Sequence, residues 1–74
     1  MNITINGESE TLAQDQITIT DLLALKDVKM PDMVSVELNG DILDRDAFET
    51  TIVKDSDQVE FLYFMGGGQS IYVV

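Results

Sequence analysis

Apolar and polar residues alternate along most of this chain, and just one segment spaces its apolar residues as a helix does. Ile3 and Ile5 alternate with Asn2, Thr4 and Asn6, the period of a half-buried strand. Asn6-Gly7 is a hairpin dipeptide, since both residues tolerate positive φ, and it predicts a second strand over Glu10–Ala13. Thr18-Ile19-Thr20-Asp21 reads as a helix start, with Thr18 as N-cap and Asp21 in the place of a capping-box Glu. Ile19, Leu22 and Leu23 then share one helical face, and the helix is expected to end near Lys26 or Asp27, ahead of Pro31. Val34, Val36 and Leu38 mark a third strand that stops at Asn39-Gly40. A short edge segment at Ile42-Leu43 and one helical turn over Asp44–Phe48, with Phe48 inward, follow. Asp55-Ser56-Asp57 marks a further turn. The last strand, Gln58 to Phe64, puts Val59, Phe61 and Tyr63 on one face and Glu60, Leu62 and Phe64 on the other.

A lone helix can cover only one face of a sheet, so the other must meet solvent. The first and last strands alternate most strongly and are the candidates for the sheet centre. The expected fold is α+β, a mixed sheet of four to five strands packed on one helix, as in ubiquitin-like β-grasp domains. Residues 1–65 form the domain, and residues 66–74 are expected to be a flexible, glycine-rich C-terminal tail.

Composition narrows the chemistry. The 74 residues include no Cys and no His, which excludes disulfides, thiolate chemistry, imidazole catalysis and the usual zinc sites. The net charge of −10 argues against nucleic acid and against anionic membranes as partners. It serves solubility, or steering toward a basic protein. No basic-then-apolar leader opens the sequence, and no apolar run reaches the ~18 residues of a membrane span, so a cytoplasmic protein is expected. Solvated turn acids account for Asp44/Asp46 and Asp55/Asp57 better than a metal site or acid–base pair does, so no metal, bound cofactor or catalytic side chain is expected.

Gly66-Gly67-Gly68 follow directly on the most apolar stretch, Val59–Met65. Glycine costs the most backbone entropy to order and adds nothing to a core. Such a run is either a linker or a segment thin enough to thread a narrow channel. Leu62 and Phe64, just before it, either form an exposed docking patch or are covered by the loop from Asp41 to Thr51.

Thr18–Leu23, Val36-Glu37-Leu38-Asn39-Gly40, Asp44–Phe48 and Val59–Gly68 together resemble the ThiS family, the ubiquitin-like sulfur carriers of thiamin biosynthesis. The likeness spans residues 1–68. The small subunit of molybdopterin synthase is similar in fold but tends to end in two glycines. The resemblance implies that a ubiquitin-activating-like (ThiF-like) enzyme adenylates the terminal glycine carboxylate with ATP. A persulfide donor then converts it to a thiocarboxylate, which supplies sulfur to thiazole synthase (ThiG-like). It puts the reactive carbonyl on Gly68, gives Gly66 and Gly67 the role of threading the partner's active site, and leaves Leu62 and Phe64 for docking.

This sequence departs from the family in continuing as Gln69-Ser70-Ile71-Tyr72-Val73-Val74. An internal peptide carbonyl has no carboxylate to adenylate, so either a processing peptidase removes residues 69–74 or they are an addition without effect. Ile71–Val74 has strand propensity and no charge, and is expected to add to a sheet edge or self-associate. Ser56 stands where the family often has Gly, implying modest strain if φ is positive there. Carriers for molybdopterin, cysteine or homocysteine synthesis share this logic, and a non-covalent interaction module on the same fold is the competing class.

Overall fold

In the computed structural model, residues 1–28, 31–64 and 71–73 are described, with the backbone alone for Pro31, Phe64 and residues 71–73. β1 (Asn2–Ile5) and β2 (Glu8–Thr11) form an antiparallel hairpin, with Ile5 opposite Glu8. Asn6 and Gly7 turn between them at φ 52° and 83°, both left-handed as a two-residue hairpin turn needs. That tight turn starts β2 at Glu8, ahead of the expected Glu10–Ala13. The chain then continues through β3 (Gln16–Thr18), α1 (Ile19–Leu25), β4 (Val34–Leu38), β5 (Asp41–Ile42), β6 (Ile52–Lys54), β7 (Gln58–Phe64) and β8 (Ile71–Val73). Single 3-10 turns lie at Pro31–Met33 and Arg45–Ala47.

The main sheet runs β2-β1-β7-β4-β5, with β8 paired to β7. β1 and β7 are parallel and the other pairings antiparallel, so the sheet is mixed. β7 lies at its centre beside β1, as expected. β3 and β6 form a separate two-stranded ladder that the sequence did not disclose, with Ile17 opposite Val53.

α1 forms where the sequence places it. The Asp21 N–H donates to Thr18 Oγ1 at 3.1 Å, capping one of the free N–H groups of the first turn. At the other end Asp27 takes φ 54°. Its N–H donates to Ala24 O, and the Val28 N–H to Leu23 O, which closes the helix as a Schellman motif without the usual glycine. Ile19, Leu22 and Leu23 are buried against Ile3, Ile5, Val34, Val36, Val59 and Phe61 of the sheet. Phe48 completes this core from beyond the 3-10 turn, so the stretch after β5 folds to the helix side of the sheet. No helix among the described residues is long and apolar enough to cross a membrane.

The turn at Asp55-Ser56-Asp57 is tied down from several sides. Ser56 adopts φ 75°, so the condition for modest strain at this position is met. Its N–H donates to Asn2 O at 2.7 Å, and Asp57 accepts from the Lys54 N–H and from Asn39 Nδ2.

Candidate functional site

The residues singled out by the sequence converge on the C-terminal end of β7. β4 borders that end along one side, pairing Val34 with Tyr63 and Ser35 with Leu62. Along the other side β1 accompanies β7 only at Gln58 and Val59 before turning away at Asn6. Asn6 Oδ1 then accepts the Phe61 N–H at 2.8 Å, so a side chain replaces the missing rung. β8 takes over from there, with Leu62 opposite Val73, Tyr63 opposite Tyr72 and Phe64 opposite Ile71.

Val59 and Phe61 face the helix, both 1 % exposed, and Tyr63 follows on the same face, half-buried against the core. The buried Tyr63 hydroxyl has no hydrogen-bond partner among the described residues. Leu62, expected either as an exposed patch or under the loop from Asp41 to Thr51, is half-buried, flanked on register by Ser35 and Val73. The side chain of Phe64 and the whole of Gly66, Gly67 and Gly68 lie outside the described residues. Residues 71–73, by contrast, are a paired strand rather than a free extension.

Met33, just before β4, is 60 % exposed and supplies apolar surface at this end that the alternation pattern did not flag. Arg45 donates from Nη2 to Val34 O at 2.9 Å, and its guanidinium carbon lies 5.5 Å from the centre of the Phe48 ring. It stands over a hollow of about 550 Å³ between α1 and the 3-10 turn, floored by Leu23 and Phe48 and rimmed by Asp32, Asp46 and Glu49. Among the described residues, no cluster of acidic side chains is arranged to hold a metal ion. The turn at the opposite end of β7 holds a perturbed carboxyl, that of Asp55. Asp55 Oδ1 accepts the Asn2 N–H at 2.7 Å, which holds the carboxyl below its ordinary value. Burial opposes this, and the Ser56 hydroxyl and the terminal ammonium add to it.

A mixed sheet packed on one helix, with a central strand followed in sequence by Met65 and then a glycine run, defines a β-grasp domain. The profile of the ThiS family matches residues 2–68, and the chain belongs to that family. The crystal structure of the thiamine biosynthesis protein ThiS from Geobacter metallireducens superposes with a TM-score of 0.87 at 51% identity, covering 92% of this chain and all of that one. The solution structure of a thiamine biosynthesis protein from the same organism gives 0.77 at 49% identity, over 95% of this chain and 91% of that one. A thiazole synthase from Magnetococcus marinus is 33% identical over 69 residues. That stretch is 93% of this chain but 21% of the relative, so the chain spans about a fifth of that protein's length.

Proposed function

We propose that this protein carries sulfur for thiamin thiazole synthesis as a thiocarboxylate on Gly68, formed once residues 69–74 have been removed. One observation carries the reading. β7, anchored at the sheet centre, is followed in sequence by Met65 and then Gly66-Gly67-Gly68, and the family match stops at residue 68.

The protein contributes position rather than reactivity. A buried central strand fixes where the tail leaves the body, and glycines without Cβ atoms let it enter a partner's narrow active site. There a ThiF-like enzyme adenylates the Gly68 carboxylate with ATP, turning a poor electrophile into a good one. The outer sulfur of a persulfide donor displaces AMP to give an acyl disulfide, and a thiol reductant then cleaves its S–S bond to leave the thiocarboxylate. Leu62, Phe64 and the neighbouring Met33 form the surface on which that enzyme and a ThiG-like thiazole synthase dock. The Magnetococcus relative supports the second partner, because a thiazole synthase there carries a segment similar to this chain within its own length. The requirement for ATP suits a cytoplasmic setting, and a peptidase that cuts after Gly68 completes the scheme.

The absence of cysteine provides a clean test. The chain ending at Gly68 is incubated with activating enzyme, ATP, a persulfide donor and a thiol reductant, desalted, and then treated with a fluorescent alkylating reagent. Label on the carrier is expected only when all four components are present. A carrier that stays unlabelled in the complete mixture overturns the reading.

A further inference from the structure

The two edges of β7 are covered unequally. On one side β4 pairs with every residue from Val59 to Tyr63. On the other, β1 pairs with Gln58 and Val59, and Asn6 Oδ1 serves Phe61. Backbone N–H and C=O groups alternate in direction along a strand, so those of Tyr63 point to the same side as those of Phe61. An edge left open there recruits another strand. Since β4 occupies one side at Leu62 and Tyr63, β8 necessarily lies on the β1 side, in the slot that β1 vacates.

Composition matches this placement. All 14 acidic and 4 basic residues precede Phe61, so the end of β7 and the segment that covers it carry no charge. Charged residues are the ordinary means of blunting an exposed edge, and an uncharged one rich in β-branched and aromatic residues pairs readily with other chains. Ile71-Tyr72-Val73 is itself such a segment.

We infer that the Leu62–Phe64 edge of β7 is a strand-accepting surface whose occupant is this chain's own Ile71–Val73, a clasp that competes there with extended segments of other molecules. The clasp is short, and the residues joining its two strands include the three glycines, whose ordering costs the most entropy. It holds because both strands belong to one chain, which gives β8 an effective concentration in the millimolar range. Cutting the connection after Gly68 converts that closure into a bimolecular one, so release of residues 69–74 and opening of the edge are one event. This inference concerns the edge alone and stands apart from the sulfur-carrier reading.

Amide hydrogen exchange on the intact chain tests it, with the Tyr63 N–H as reporter. The Asn6 N–H, which donates to Val59 O at 2.9 Å, serves as the folding control. Tyr72→Pro removes the strand's central donor, and the Tyr63 amide is expected to exchange on the order of tenfold faster while Asn6 stays protected. The chain ending at Gly68 should behave alike, and a synthetic peptide of residues 69–74 at millimolar concentration should restore protection. Dimerisation of the trimmed chain in the ultracentrifuge also supports the inference, since the edge is then accepting a second copy. Equal Tyr63 exchange in the intact chain, the Tyr72→Pro variant and a monomeric trimmed chain overturns it.

Discussion

The side chain of Asn6 hydrogen-bonds the backbone of Phe61 at 2.8 Å, across 55 residues of sequence. Asn6 therefore does two things at one position. Its left-handed backbone turns the β1–β2 hairpin, and its carboxamide oxygen satisfies β7 where β1 departs. Asn6→Ala loses the acceptor and strains the turn, so a loss of about 2 kcal/mol is expected from the stranded, partly buried N–H and the positive φ. Urea denaturation measures it. Asn6→Asp retains the acceptor and should lose less.

Tyr63 carries the opposite imbalance. Its hydroxyl is buried with no hydrogen-bond partner among the described residues, which leaves its desolvation uncompensated by them. Tyr63→Phe is expected to stabilise the protein by about 1 kcal/mol, read as a higher denaturation midpoint with an unchanged slope.

Ser56 sits at φ 75°, where a Cβ is crowded. Glycine keeps the N–H that bonds Asn2 O and gives up a 3.3 Å contact to Asp55 on the surface. Relief of strain outweighs the added chain entropy, so Ser56→Gly should raise Tm by about 4 °C. Differential scanning calorimetry is the check.

Asp55 makes stability depend on pH. The Asn2 N–H favours its ionised form in the folded state, so its pKa is lower folded than unfolded. The resulting stabilisation is complete above the unfolded value of about 3.9 and disappears as pH falls through the lower, folded value. Asp55→Asn keeps a carbonyl acceptor but cannot ionise. The stability gap between wild type and variant should be constant at neutral pH and shrink below about pH 5, which denaturation midpoints across the acid range would show.

Short-range signals in the sequence were reliable guides to this fold. Thr18 caps α1, Asn39-Gly40 ends β4, and Asp55–Asp57 turns the chain into β7, because each depends on neighbouring residues. The strand propensity of Ile71–Val73 likewise anticipated its addition to a sheet edge. The β3–β6 ladder escaped notice. Each strand is only 3 residues long and buries a single apolar residue, Ile17 or Val53, too little alternation to register, and the partners are far apart in sequence. Alternation assigns Leu62 to the face of β7 away from the helix, and its half-burial could not be read from β7 alone, since β8, which pairs beside it, comes from beyond the glycines. The role proposed for Gly68 rests on family resemblance, since a glycine run has no side-chain chemistry of its own.

Intact-mass spectrometry tests the central claim most directly, on the full chain and the chain ending at Gly68 side by side. Each is treated with the activating enzyme, ATP, a persulfide donor and a thiol reductant. The shorter chain should gain the mass difference between sulfur and oxygen, and the full chain should remain unchanged. A trimmed chain that never acquires that mass, or a full-length chain that acquires it equally well, would contradict a thiocarboxylate on Gly68.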